Sequence, residues 1–309
     1  MKIVFMGTPD FAVPCLKALI QQQEQIVGVY TQPDKPKGRG HQLQPPPVKV
    51  VAMEHDILVF QPNTLRTQEV YEQLKQLQPD IIIVVAYGKM LPLSILQLPQ
   101  YGCINVHASL LPKYRGAGPI QWSVLNGEKV TGVTTMYMAE GMDTGDMILK
   151  METQIGENET ASELHDRLSV IGAEALIETI EHLKDGTIVR TVQDDTRATY
   201  APMLSKELSK IDFTKSAQEV HNQIRGLSSW PCAVTTLLGK RLKVYRSELV
   251  KDRQGAPGEV LSNRQLIVAC GDGHAVHLAE VQFENAKRMK SEDFLRGRPL
   301  AIGTICGQI

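Results

Sequence analysis

The residues best suited to chemistry in this sequence lie within one stretch of the chain, residues 101–146. Asn105 and His107 stand two positions apart in a short apolar run, 102–106, that predicts the end of a strand. Because side chains two apart on a strand point to the same side, the amide and the imidazole should project together. An amide can donate to an oxyanion and an imidazole titrates near neutral pH, so the pair suits group transfer through a charged tetrahedral species.

An acidic turn follows in the same stretch. Residues 141–146 read Gly-Met-Asp-Thr-Gly-Asp, and the flanking glycines indicate a tight turn that can return a carboxylate to the pair. Asp143 can then orient or charge the imidazole and relay a proton through water, while Asp146 offers a second carboxylate. Two converging metal ligands, His107 and Asp143, fall short of the three or four that zinc takes, so no metal is expected.

Three elements of this stretch have the order and spacing of a known family. Asn-x-His at 105–107, Ser-Leu-Leu-Pro at 109–112 and Asp-x-Gly-Asp at 143–146 resemble the 10-formyltetrahydrofolate-dependent formyltransferases, and the resemblance covers nearly the whole chain. It implies that Asn105, His107 and Asp143 are catalytic and that Asp146 has a structural role. It also implies 10-formyltetrahydrofolate as co-substrate. The absence of a Ser or Cys nucleophile elbow fits a transfer without a covalent enzyme intermediate.

The resemblance also implies where the folate binds. One segment after the fourth predicted strand and one before Asp143 are similar to the pterin-lining segments of the family. The loop after His107 carries two cations and either contacts the glutamate tail of the folate or shapes the pocket. The predicted folate-binding residues are Tyr87, Gly88, Met90, Leu91, Ser109, Leu110, Leu111, Pro112, Arg115, Ala139 and Glu140. Core packing is the alternative for Met90 and Leu91.

The elements before this stretch predict the scaffold. Apolar, β-branched runs at 2–6, 26–31, 57–60 and 80–86 are typical of parallel strands covered on both faces. Helices are predicted from the turn at 7–9 to about residue 23 and over 66–78. This alternation predicts an α/β fold with a doubly wound, mostly parallel sheet, which the resemblance makes Rossmann-like. The first turn lacks G-x-G-x-x-G, so a dinucleotide site is not supported.

The second half of the chain has a different pattern of predicted secondary structure. An amphipathic helix is predicted over 160–183, with Thr160 as N-cap and Glu163 three residues on, and another over 216–226. From residue 233 onward, short alternating runs bounded by Gly, Asn and Asp predict a small β-barrel, OB-like by the resemblance. We therefore predict a formyltransferase catalytic domain at 1–189, a linker at 190–210, and an OB-like barrel at 211–309 that binds tRNA.

Residues 32–49 interrupt the α/β pattern with proline and positive charge. Five prolines and two glycines predict that no regular element forms there, and the four cations are Lys35, Lys37, Arg39 and Lys49. By composition, a solvated connector and a phosphate-binding arm both fit. Family members that act on methionyl initiator tRNA carry a similar insertion that enters the acceptor stem, with the Lys-Gly-Arg-Gly core found here at 37–40. The resemblance therefore favours tRNA binding by Lys35, Lys37 and Arg39.

Composition limits the number of domains, the class of protein and its cellular compartment. A length of 309 residues favours two domains, and 42% hydrophobic with 22% charged residues is typical of a globular protein. From residue 205 onward there are 16 Lys/Arg and 11 Asp/Glu, a net +5, while the rest has 17 and 23, a net −6, which hints at a polyanionic partner. Five scattered cysteines without C-x-x-C spacing, no signal peptide and no apolar run near 20 residues predict a cytoplasmic protein without membrane attachment.

The expected activity is formylation of the α-amino group of methionyl initiator tRNA, with no obligatory protein partner. An amino-sugar nucleotide formyltransferase is the main alternative, since it keeps a similar barrel, although it has no need of the basic arm. A glycinamide ribonucleotide transformylase has a single domain, so the barrel argues against it. An RNA-binding module with an inactive transferase fold is the alternative from another class, and the intact Asn105, His107 and Asp143 argue against that.

Overall fold

The structure is a computed structural model, and it describes residues 1–37 and 42–307. The chain divides into two compact units, each assembled from three stretches. The first unit comprises Met1–Gly116, Thr131–Thr153 and His165–Tyr200, and the second comprises Ala117–Val130, Gln154–Leu164 and Ala201–Ile309. The functional division into 1–189, 190–210 and 211–309 stays a prediction.

The secondary structure alternates in the first half and is mainly strand in the second. The strands are β1 Lys2–Gly7, β2 Gln25–Tyr30, β3 Lys35–Lys37, β4 Gln42–Gln44, β5 Val59–Phe60, β6 Ile81–Val85, β7 Cys103–His107, β8 Val130–Tyr137, β9 Met147–Gln154, β10 Ala233–Leu237, β11 Lys240–Val250, β12 Ile267–Ala269, β13 Ala275–Phe283 and β14 Met289–Lys290. The helices are α1 Val13–Gln21, α2 Pro47–Glu54, α3 Gln68–Gln76, α4 Leu93–Leu96, α5 Pro119–Leu125, α6 Ala161–Lys184, α7 Ala217–Gly226 and α8 Ser291–Gly297, with 3₁₀ turns at Asp10–Ala12, Asp195–Arg197 and Lys206–Ser209. None of the described helices combines the length and apolar character needed to cross a membrane.

A seven-stranded sheet in the order β5-β2-β1-β6-β7-β8-β9 carries the predicted site. Strand β1 pairs in parallel with β2 and β6, as does β2 with β5 and β6 with β7, whereas β8 runs antiparallel to β7. All five residues of β6 are buried, as expected for a strand covered on both faces. The prediction of a doubly wound, mostly parallel α/β sheet is confirmed.

Helix α6 begins where the sequence predicts and packs against the strand that holds the predicted site. The Thr160 amide donates to Glu163 Oε2 at 3.0 Å and the Glu163 amide donates to Thr160 Oγ1 at 3.3 Å, which is the predicted capping box. A methyl group at Gly172 would lie 3.1 Å from the side chain of Val106 in β7, so the glycine lets helix and strand approach closely.

The smaller sheet has the order β10-β11-β13-β12, with β14 paired to β13, and is antiparallel throughout. Register shifts on either side of Arg246 interrupt the pairing of β11, and such bulges bend a strand around a core. Buried residues from this sheet, α7 and α8 form one hydrophobic cluster. The curled antiparallel sheet agrees with the predicted OB-like barrel.

The prediction that residues 32–49 lack regular structure is wrong. Strand β3 pairs antiparallel with β4, and α2 begins at Pro47. Proline is tolerated here because Pro36 lies in a two-stranded ribbon, where both strands are edges, and Pro47 occupies the first turn of a helix. Residues 38–41, which include Arg39, and the side chain of Lys37 lie outside the described part of the chain.

Candidate active site

Strand β7, an interior strand of the large sheet, carries Asn105 and His107. Asn105 lies opposite Val84 in β6 and Met136 in β8, and His107 lies opposite Thr134 in β8. Asn105 is half-buried, and within the described ranges no residue hydrogen-bonds its side chain. Its two N–H donors are therefore available to a ligand.

The hydrogen bonds of His107 define its two nitrogens. Its side chain is buried, and Nε2 lies 3.0 Å from the carbonyl oxygen of Tyr114. Because a carbonyl only accepts, Nε2 carries the hydrogen, and Nδ1 is the nitrogen that can gain or lose a proton. Nδ1 lies 3.7 Å from Asp143 Oδ2, so an imidazolium at this position would face a carboxylate.

Asp143 is held by the tight turn that the sequence indicates. Its φ is +54°, and Oδ2 accepts a hydrogen bond from the Gly116 amide at 2.8 Å. Two residues on, a methyl group at Gly145 would lie 1.9 Å from the Tyr137 carbonyl oxygen, so only glycine fits. The described structure contains no group of three or more His, Cys, Asp or Glu side chains placed to hold a metal ion.

Gln193 holds this turn, a role that the sequence analysis does not predict. Its Nε2 donates to the carbonyls of Asp143 and Gly145, both at 2.8 Å, and its Oε1 accepts from Arg115 at 2.9 and 3.0 Å. The buried amide thus uses all its hydrogen-bonding capacity. Gln193 lies in the stretch predicted as a linker, where no periodicity or motif marks it.

Arg115 is almost completely buried, at 2% exposure. Besides Gln193, its guanidinium binds Asp195 Oδ1 at 2.7 Å. These contacts make Arg115 part of the support beneath the Asp143 turn. Its predicted contact with folate stays a prediction.

The predicted folate loop 109–112 is fixed by hydrogen bonds to β8. Ser109 Oγ donates to the Lys113 carbonyl at 2.7 Å, while Thr134 Oγ1 donates to the Ser109 carbonyl at 2.7 Å and accepts from the Leu111 amide at 3.2 Å. Ser109 and Leu111 are buried, whereas Leu110 and Pro112 are half-buried. The first two therefore shape the loop, and the last two have surface left for a ligand.

The segment 86–91 alternates between core and surface. Tyr87 and Leu91 are buried in a hydrophobic cluster beneath the sheet, whereas Gly88 and Met90 are exposed. Burial raises the pKa of Tyr87 to about 12, and its hydroxyl has no hydrogen-bond partner among the described residues. Ala139 and Glu140, in the other predicted folate segment, are exposed.

An ion pair between Asp34 and Lys49 joins the two ends of the arm, residues 32–49. Lys49 Nζ lies 2.8 and 2.9 Å from the two carboxylate oxygens of Asp34 and 2.8 Å from Gln61 Oε1. Hydrogen bonds from Lys49 and then Gln61 lower the pKa of Asp34. Lys49 is therefore a structural cation, whereas Lys35 is exposed. The pKa of Lys89 is lowered first by the burial of Lys89 itself and second by the charge of Lys35.

Fold and site together define an α/β group-transfer enzyme. A mostly parallel sheet presents an amide, an imidazole and a carboxylate around one strand end, and a second unit contains an antiparallel sheet. The chain belongs to the formyl transferase family: the model of the formyl transferase domain matches residues 1–180, and that of the formyl transferase C-terminal domain matches residues 203–299.

Relatives and solved structures agree with this assignment. A methionyl-tRNA formyltransferase of Trichlorobacter lovleyi is 52% identical over 98% of this chain and 96% of its own, and one of Ruminiclostridium cellulolyticum is 48% identical over all of both chains. The N-formyltransferase of Helicobacter canadensis, solved with folinic acid and dTDP-3-aminofucose, is 20% identical, has a TM-score of 0.69, and covers 94% of this chain and 100% of its own. At that identity the likeness concerns the fold alone.

Proposed function

We propose that this protein transfers the formyl group of 10-formyltetrahydrofolate to the α-amino group of methionyl initiator tRNA. The observation that carries the proposal is the 52% identity, along 98% of the chain, to a relative named methionyl-tRNA formyltransferase. The sugar-nucleotide alternative is supported by a 20% identical likeness of fold. It also leaves the basic arm without a role.

The chemistry follows from the three side chains around the end of β7. The free amine attacks the formyl carbon, and an α-amino group with a pKa of about 7.7–8.0 is partly neutral at physiological pH. The Asn105 amide donates to the oxyanion that forms, an interaction typically worth about 10²–10³ in rate. The bond from the formyl carbon to the folate nitrogen then breaks, and that nitrogen takes up a proton as the attacking amine loses one.

His107 and Asp143 serve the proton transfer. Nδ1 of His107 is the nitrogen that faces the reaction, since the Tyr114 carbonyl occupies Nε2. An imidazolium there donates to the oxyanion or to the leaving nitrogen. The Asp143 carboxylate, 3.7 Å away, stabilises the imidazolium and relays the proton through a water molecule.

The protein offers the folate donor two accessible surfaces near these residues. The exposed Gly88 and Met90 follow β6, and the exposed Ala139 and Glu140 precede the Asp143 turn. Their main-chain groups offer hydrogen bonds to a pterin ring, with apolar side chains as walls. We assign shaping roles in this pocket to the buried residues of the predicted set: Tyr87, Leu91, Ser109, Leu111 and Arg115.

The tRNA is assigned to the arm and to the basic C-terminal part of the chain. Lys35, Lys37 and Arg39 would contact phosphate, and the net charge of +5 from residue 205 onward suits a polyanion. Under this proposal 1–189 is the catalytic domain, 190–210 the linker and 211–309 the tRNA-binding domain. The reaction is placed in the cytoplasm, which agrees with five buried, unpaired cysteines.

One assay separates the candidate functions. The purified protein is incubated with a labelled formyl donor and, in parallel, with methionyl-tRNA, an amino-sugar nucleotide and glycinamide ribonucleotide. Label should enter methionyl-tRNA only, and the His107→Ala protein should transfer it at least about a hundredfold more slowly. Transfer to the amino sugar, or to no acceptor, would overturn the proposal.

A further inference from the structure

A basic cleft lies at the edge of the smaller sheet. Its volume is about 530 Å³, within the range of about 300–1,000 Å³ that is usual for small-ligand pockets. Strand β10, an edge strand, forms one wall, and the 3₁₀ turn Lys206–Ser209 and the residues after it form another. All the lining residues belong to the second unit.

The backbone around the cleft is fixed by hydrogen bonds. The Ile211 amide donates to the Val234 carbonyl and the Gly307 amide to the Thr236 carbonyl, both at 2.9 Å. Across the sheet, β11 sets Lys243 opposite Val234 and Arg241 opposite Thr236. The cleft is therefore built on regular structure, and its side chains project from defined positions.

Positive charge dominates the lining. Lys206, Lys210, Arg241 and Lys243 line the cleft, and none of the described acidic residues does. Within the described part of the chain, none of these four forms an ion pair. Four cations around a concave surface attract an anion.

A further feature of the lining indicates more than a simple anion. The indole of Trp230 is 58% exposed, an unusual position for so large an apolar ring. Thr235 also belongs to the lining, but along β10 it alternates with Val234 and Thr236 and pairs with the buried Leu242, so its side chain faces the hydrophobic core and not the cations. The exposed ring is therefore the feature that a simple anion does not explain.

We propose that this cleft binds one nucleotide of an RNA strand, with its base stacked on Trp230 and its phosphate held by the four cations. An aromatic face beside cations is the combination with which proteins hold splayed, single-stranded bases. An acidic peptide would satisfy the charges and leave the exposed indole unused. The assignment rests on the proposed function, because that function brings RNA to the protein, and it identifies C-terminal residues that contact it.

The test compares full-length variants whose changes lie in the cleft. Trp230→Ala removes the ring, Trp230→Phe keeps a flat ring, and Lys243→Met removes one cation. Lys251→Met is the matched control, since Lys251 is exposed and lies outside the cleft. The probes are methionyl initiator tRNA in filter binding across a salt series, a mixed-sequence single-stranded 12-mer RNA, and AMP.

Trp230→Ala should weaken tRNA binding about fivefold or more, whereas Trp230→Phe should stay within about twofold of wild type. Lys243→Met should lower the slope of log affinity against log salt by about 0.7–0.9, and Lys251→Met should leave it unchanged. All variants should keep the wild-type KM for the formyl donor. Circular dichroism checks that they are folded.

The experiment distinguishes failure of the RNA-binding proposal from failure of the proposed function. If wild type formylates methionyl-tRNA and the cleft variants bind tRNA as wild type does, the RNA-binding proposal for the cleft is wrong and the proposed function stands. Equal effects of Lys243→Met and Lys251→Met also overturn the RNA-binding proposal. If wild type neither binds nor formylates methionyl-tRNA, the 12-mer decides: binding that requires Trp230 supports the cleft, whereas binding of AMP alone or of neither probe overturns it.

Discussion

Asp143 Oδ2 lies 3.7 Å from Nδ1 of His107, while the same oxygen accepts a hydrogen bond from the Gly116 amide at 2.8 Å. The longer distance exceeds that of a hydrogen bond and still allows strong charge stabilisation. The carboxylate therefore acts on the imidazole through its charge or through an intervening water. Its position depends on the backbone of residue 116 and on the turn that carries Asp143.

Asp143→Asn tests the charge without removing the support. The amide oxygen can still accept from Gly116, so the turn should keep its form, but the imidazolium loses its counter-charge. We expect turnover to fall by at least about a hundredfold, as for Asn105→Ala and His107→Ala. Steady-state kinetics on pure, folded protein measures this. A variant with near-normal turnover would remove its residue from the mechanism.

Gln193→Glu tests the support of the turn. The replacement keeps an acceptor for Arg115 but sets a carboxylate against the carbonyls of Asp143 and Gly145. Displacement of the turn should lower kcat by about tenfold or more with little change in KM for either substrate, because misplacing a catalytic group weakens the transition state selectively. Unchanged kcat in a stably folded variant would show that the turn does not need Gln193.

The sequence predicts the scaffold well because its signals are local. The buried β6 is a continuous apolar run, and the pairing of Asn105 with His107 follows from strand periodicity. Gln193 could not be predicted in the same way, because it contacts the Asp143 turn from 50 residues away. The prediction for residues 32–49 is wrong because a high proline and glycine content does not by itself exclude regular structure: edge strands and helix starts tolerate proline.

Tyr87→Phe should stabilise the protein. The buried hydroxyl of Tyr87 has no partner among the described residues, so its removal should raise the free energy of unfolding by about 1–3 kcal/mol. Tyr30→Phe is the matched control: its equally buried hydroxyl donates to Gln73 Oε1 at 3.0 Å, and losing that bond should cost about 1 kcal/mol. Urea denaturation measures both. Destabilisation by Tyr87→Phe would mean that the hydroxyl has a partner in solution.

His221 should make the protein less stable in mild acid. Its Nε2 donates to the Glu157 carbonyl at 2.9 Å, Nδ1 lies 2.8 Å from Ser247 Oγ, and burial lowers its pKa. The unfolded chain therefore binds a proton more readily, so stability is complete above the unfolded pKa of about 6.5 and is lost as pH falls below it. His221→Gln should flatten the fall in the free energy of unfolding between about pH 7 and pH 5. An identical fall in both proteins would assign the acid sensitivity elsewhere.

Removing either of two cations in the arm should raise the KM for methionyl-tRNA, but for different physical reasons. Arg39 stands between two glycines, and we expect Arg39→Ala to raise KM for methionyl-tRNA and to flatten the salt dependence, because a phosphate contact is lost. The charge of Lys49 is already paired with Asp34. Lys49→Met should therefore raise the same KM by releasing the base of the arm, while the salt slope stays that of wild type.

Reversing the ion pair separates position from charge. The double variant Asp34→Lys with Lys49→Asp can rebuild the pair with opposite polarity, so it should recover much of the tRNA affinity that Lys49→Met loses. The KM for the formyl donor should not change in any arm variant, because the removed contacts belong to the other substrate. Filter binding of charged initiator tRNA over a salt series provides the affinities and slopes. If Lys49→Met flattens the slope as Arg39→Ala does, Lys49 contacts phosphate directly and the ion pair with Asp34 is not what positions the arm.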